Sequence, residues 1–346
     1  MKERHVRHHF VPKSYLKNWQ DSDGKICVYR TLVEHQKVPI WTKKSVAAVA
    51  YWGNLYTRFV SGQESDEMEL WFDREFEAPA ETVIQKVISN QRLTSGDWKI
   101  LIRFLAAQDV RTPARLFEHM KSLHELLSEV LNEVMADLKE KIQEKGFVES
   151  MKSSPINNSN MFPLKLTKEL KAGAEYGTIQ AKSYVGRATW LFSIKYQLER
   201  TVKVLERHKW TIVAPADGYN WFTSDTPVIR INYFENGKYD LRGGWGNING
   251  NIFFPLGPKH AMFVQVGHRS FSKGTKLNAA FTKEFLKFTA ENSHRMIFSH
   301  FVDQNIPNLK SRLVDSEQIK REKEAIQSWH DENVRLEKEF EKKDKL

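Results

Sequence analysis

Residues 94–111 carry apolar side chains on both sides of a helix, and no other stretch constrains the fold as much. Thr94 stands where an N-cap belongs, with Asp97 at the capping-box spacing. Trp98, Leu101, Ile102, Leu105 and Ala106 make one apolar stripe, and Ile100, Phe104 and Ala107 make another on the opposite side. A helix with two apolar faces has none to give to water, so it is expected between two layers. Its last turn, Gln108-Asp109-Val110-Arg111, then brings polar groups into a crowded place. A buried guanidinium without a partner is too costly, so Arg111 must meet a carboxylate or an anionic ligand.

The flanking segments follow from the same periodicities. Apolar residues from Met68 to Val87 recur at helical spacing, interrupted by Pro79, which should kink or split the helix two residues after Glu77. Thr112-Pro113 restarts a helix with proline at its tolerated first position. Residues 147–165 read as a polar loop, and Thr167 to about Lys209 as a long helical stretch, with Gly173, Gly177 and Gly186 as points of bending or breaking. The N-terminal part holds a strand at Lys25–Arg30 entered through a Gly turn. Beyond residue 209, five runs between Trp210 and Val266 read as strands, followed by a helix over roughly 276–299. Ile319, Ile326, Trp329, Asn333, Leu336 and Phe340 form a heptad-like seam in a charged helix, suited to packing on the body or to self-association through 315–346.

The expected class is α+β: an N-terminal β-containing segment (1–62), a central helical layer (63–209) and a C-terminal antiparallel sheet (210–302) in one domain. A linker and an appended charged C-terminal helix occupy 303–346. With 53 basic against 43 acidic side chains the formal net charge is +10, which favours polyanions through counterion release. Nucleic acid or nucleotide is thus the first partner class, supported by basic tracts interleaved with aromatics at Lys2–Lys17 and Lys195–Lys209. Cys27 is the only cysteine, so neither an intrachain disulfide nor a cysteine-based zinc site can form. No run reaches the length of a membrane helix and no signal-peptide core opens the chain, so a soluble, cytoplasmic protein without membrane contact is expected. Walker, Rossmann, His-Glu-x-x-His and helix-turn-helix patterns are missing, which argues against ATPases, dinucleotide enzymes and standard repressors.

Three groups of residues carry candidate chemistry. His8 and His9, in Arg7-His8-His9-Phe10-Val11-Pro12, are able to act as general acid and base or to ligate a metal, or else they are structural histidines bonded to backbone carbonyls. Adjacent strand residues point to opposite faces, so one histidine is expected at a site and the other in the packing. Ser224-Asp225, inside Thr223-Ser224-Asp225-Thr226-Pro227, offers a carboxylate base or metal ligand and a phosphate-binding hydroxyl, and it is equally a turn in which both side chains bond local amides. Gln108 and Arg111 are the substrate-binding candidates, with Arg111 either clamping phosphate or pairing with Glu77 or Asp109; Glu77 is an acid or base, a metal ligand or that ion-pair partner.

His-His-x-x-Pro with Asn18 further on is similar to the opening of the His-Asn-His nucleases, though their Gly turn, cysteine pairs and later histidine have no counterpart here. Six pieces in order support a broader resemblance over nearly the whole chain to about residue 302. They are His8-His9-Phe10-Val11-Pro12 with Tyr15-Leu16; Glu77 before an Ala-Pro helix; Leu105 to Pro113 ending in Arg-Thr-Pro; Phe222 to Val228; Phe254-Pro255-Leu256; and Asn292. The chain resembles the family catalogued as domain of unknown function 4238. Gly257 stands where a small polar residue is usual, and Thr226 where Asn is commoner; neither change removes a reactive group. The resemblance implies a mixed α and β architecture in a prokaryotic or phage-like setting, and no activity.

The functional expectation is a metal-assisted phosphodiester hydrolase on nucleic acid, in a defence or mobile-element setting. His8, His9, Glu77 and Asp225 would be catalytic, with His9 and Asp225 holding a divalent metal. Arg111, Gln108 and Ser224 would bind substrate, all in one polar pocket. The alternative is a non-catalytic module that binds nucleic acid or a protein partner.

Overall fold

The computed structural model describes residues 7–142, 162–170, 177–272 and 274–342. The doubly apolar segment is a helix, Ser95–Val110, with both halves of its capping box formed: the Thr94 hydroxyl accepts from the Asp97 N–H, and the Asp97 carboxylate from the Thr94 N–H. It is sandwiched as its two stripes require. The helices Ala78–Ile88 and Arg187–Leu205 lie against it, and Phe104 meets Phe254 of the strand Asn251–Gly257 at 5.9 Å between ring centres.

Pro79 splits the preceding helix, and it does so through a wider turn. Glu67–Phe72 is α-helical, Asp73–Glu77 is a π-helical turn, and Ala78–Ile88 resumes the α-helix. Proline has no N–H to give the carbonyl one turn back, and the extra residue of the π turn absorbs that mismatch. Thr112-Pro113 restarts the chain as a helix, Pro113–Ile142.

Two elements differ from the sequence expectation. The stretch after Thr167 is not helical at its start: Lys165–Leu170 and Gly177–Lys182 pair as an antiparallel hairpin, and the helix begins only at Arg187. Gly177 opens a strand and Gly186 caps the helix, so two of the glycines weighed as bends are boundaries. The helix placed over 276–299 spans Ala279–Asn292, and Met296–Ser299 is a strand. Most of the expected polar loop at 147–165 lies outside the described residues.

A six-stranded sheet runs in the order 239–240, 229–233, 251–257, 260–265, 211–214, 275–276, antiparallel except for its last pair. A four-stranded antiparallel sheet combines both ends of the chain: 223–224, 296–299, 26–30, 41–44. The N-terminal segment is thus stitched into the C-terminal sheet region. Tyr15 strengthens that seam: it stacks on Phe254 at 5.3 Å, donates to the Pro255 carbonyl at 2.7 Å and shares a bond with the Thr223 hydroxyl at 2.8 Å. The charged C-terminal helix, Ser316–Glu341, packs back on the body. Trp329 meets Trp52, and Glu337 pairs with the fully buried Arg187 at 2.6 Å. Ile326 of the expected seam stays exposed.

Candidate functional site

The histidine pair sits on the strand Arg7–His9, paired with Tyr51–Gly53. His8 is fully buried and stacked on Tyr56, and its Nδ1 accepts the Tyr56 N–H at 2.9 Å. That bond places the neutral ring's proton on Nε2, 3.5 Å from Asp66. His9 leans on Tyr51; burial, helped by the charge of Lys13, pushes its pKa down to about 4, so it is neutral at neutral pH.

Arg111, at the end of the sandwiched helix, is completely buried and holds this corner together. Its Nη1 pairs with Glu77, its Nη2 donates to the His9 carbonyl, and its plane lies 4.4 Å from the centre of the Phe72 ring. Glu69 stands 3.8 Å away, its carboxyl pushed up by burial against the pull of Arg111. The Tyr56 hydroxyl returns a bond to the Arg111 carbonyl at 2.7 Å. Of the two readings of Arg111, the ion pair with Glu77 is the one present. Glu69 had no distinguishing signal, being one acid among several on an amphipathic helix.

Ser224-Asp225 is a turn lock. The Ser224 hydroxyl accepts the Thr226 N–H at 3.2 Å. One Asp225 oxygen accepts from His294 N–H at 2.8 Å, the other from Arg295 and Met296 N–H at 2.6 and 2.9 Å. These bonds moor the turn to the start of the strand Met296–Ser299. Burial pushes the Asp225 carboxyl up, opposed by His294 and the three amides. Asn292 completes the lock by donating to the carbonyls of Thr226 and Val228.

The expected single pocket is therefore divided. His8, His9, Glu77 and Arg111 come together, Ser224 and Asp225 form their own cluster, and no hydrogen bond, ion pair or ring contact among the described residues joins the two. Nor do three His, Cys, Asp or Glu side chains gather among the described residues as metal ligands would. Both Asp225 oxygens already serve backbone amides, so the proposed pairing of His9 with Asp225 around a metal has no geometric support.

Gln108 belongs to neither cluster. Its side chain is 0% exposed, lines a cleft of about 170 Å³, and has no protein partner at either its oxygen or its nitrogen. An unpaired buried amide costs about 1–3 kcal/mol per group. Around the cleft stand Asp109, Arg115, Thr226, Arg242 and Asn292. A second lobe of about 240 Å³ shares the wall made by Asp109, Arg115 and Glu118 and adds His119, Arg230 and Trp245. Asp109 and Glu118 hold Arg115 at 2.8 and 2.6 Å, while Arg230 lies over Trp245, its Nε in an ion pair with Asp109 at 3.6 Å but without a hydrogen-bond partner. Each lobe alone is smaller than the roughly 300–1,000 Å³ of small-ligand sites, and only the two taken together, across the wall they share, come to that size. The cleft is only partly legible in the sequence: Gln108 stands out, whereas Arg115 and Arg230 look like ordinary surface cations until the fold turns them inward, and Arg242 stays exposed at the rim.

A family model described as "Protein of unknown function (DUF4238)" matches residues 7–302. No curated protein and no solved structure matches the chain. No helix among the described residues is long and apolar enough to cross a membrane.

Proposed function

We propose, from the premise that the chain belongs to the DUF4238 family, that this protein binds a nucleotide unit in the Gln108 cleft, free or within a strand. The observation that carries this reading is the buried, unpartnered Gln108 amide. It offers one donor and one acceptor in a plane, which is the pattern a nucleobase edge takes up. Arg242 at the mouth and Arg230 in the second lobe supply charge for phosphate, and the net charge of +10 favours approach of a polyanion.

Metal-assisted phosphodiester hydrolysis has less behind it. It needs a water-activating metal or base beside the phosphate, and the His9 and Asp225 side chains lie in the two clusters described above rather than in this cleft. The protein then acts as a binding module.

Fluorescence anisotropy with labelled oligonucleotides and competition by AMP tests this. The wild-type chain is expected to bind at about 100 mM salt, and Gln108→Leu to weaken binding tenfold or more while remaining folded. Absence of binding to any nucleotide by the wild type, or undiminished binding by Gln108→Leu, overturns the reading.

A further inference from the structure

His119 stands in the second lobe with a chemistry that the Gln108 reading does not use. Ser193 has a single hydroxyl proton, and it goes to the Trp190 carbonyl at 2.8 Å. The approach of Ser193 Oγ to His119 Nδ1, 3.4 Å, therefore requires the ring to donate. The neutral ring then carries its lone pair on Nε2, which is buried and has no protein partner. Burial also holds the imidazole below its ordinary pKa, in keeping with a neutral ring.

A buried lone pair of this kind repels phosphate oxygens, which at neutral pH are themselves acceptors. It calls for a ligand donor. A nucleotide has two kinds, base N–H groups and sugar hydroxyls, and the base is occupied by Gln108 in the adjoining lobe. We infer that His119 Nε2 accepts a ribose hydroxyl, so that the cleft selects ribonucleotides over deoxyribonucleotides. Within a strand the only free hydroxyl is the 2′-OH, the group by which proteins tell RNA from DNA. The inference rests on the Gln108 reading for the placement of the base.

The test uses the full chain and three labelled strands of roughly ten adenosines: ribo, 2′-deoxy and 2′-O-methyl. The ribo strand is expected to bind about tenfold tighter than the other two, since a 2′-O-methyl group accepts but does not donate. In His119→Phe the ribo strand is expected to lose its advantage over the deoxy strand. Equal binding of all three strands by the wild type overturns this inference and leaves the Gln108 reading standing, provided Gln108→Leu still weakens them all. A preference that survives in His119→Phe also overturns it. If the wild type binds none of the three strands this inference falls, and the Gln108 reading falls with it when AMP is not bound either. The wild-type comparison of ribo with 2′-O-methyl needs no variant, so it decides even if His119→Phe does not fold.

Discussion

Replacing Arg111 with methionine separates a structural from a ligand-binding role for that residue. Methionine keeps an apolar stem over Phe72 but leaves Glu77 without its counterion and the His9 carbonyl without its donor. Removing one partner of a buried pair costs about 3–5 kcal/mol, and an unpaired buried carbonyl about 1–3 kcal/mol more. Glu77 and Glu69 are 16% and 19% exposed, so water rehydrates part of each carboxylate and the lower ends apply. The expected loss for Arg111→Met is about 4 kcal/mol. Adding Glu77→Gln removes the stranded charge, so the double variant should be less destabilised than the sum of the singles, by about 2 kcal/mol. Urea unfolding followed by tryptophan fluorescence and circular dichroism, with coincident transitions, gives these values. A loss below about 1 kcal/mol, or strict additivity, refutes the buried-clamp argument. If the double variant, folded, also fails to bind nucleotide, Arg111 reaches the ligand and the assignment of the cleft to Gln108 is too narrow.

Two further outcomes follow from the same corner of chemistry. His9 has a folded pKa of about 4, below the ordinary value near 6.5, so the unfolded chain takes up its proton first as pH falls. The stability this supplies is complete above about pH 6.5 and lost on the way down to 4, on the order of 2 kcal/mol after allowing for solvent near the ring. Denaturant unfolding across that range should show His9→Gln losing less than wild type; parallel curves count against it. Asp225→Asn should cost about 2–3 kcal/mol, because an amide offers one oxygen to three backbone N–H donors and turns its own NH₂ toward them. An unchanged melting temperature contradicts the turn-lock role.

The parts of the fold legible in sequence are those written in local periodicity. The two stripes of 95–110, the Thr94 box and the Pro113 restart depend on neighbours a few residues apart. Pairing across longer distances was less visible. The 165–182 hairpin was hidden because its glycines fit a broken helix as well as a strand boundary. Met296–Ser299 reads as a continuation of the preceding helix, since its apolar run has no period of its own and its partner is the distant 26–30 strand. The candidate residues illustrate a second limit. Arg111, Asp225 and Gln108 are all polar residues among core residues, and sequence does not distinguish a buried group that is satisfied from one left open. Only the partners do: Glu77 and the His9 carbonyl for Arg111, three amides for Asp225, and none for Gln108.

The sheet that joins both ends of the chain also sets an order of events during synthesis. Val28 pairs with Phe298, 270 residues further on, and Leu32 pairs with Leu313. At translation rates of about 5–20 residues per second, the nascent 26–33 segment has the 41–44 strand within seconds but waits roughly 15–55 s for 296–299 and 313–314 to leave the ribosome. Arg187 stays hydrated longer than most of the interior, until Glu337 emerges. The strands made first are thus among the last to be secured, and in that interval their apolar edges are exposed to chaperones.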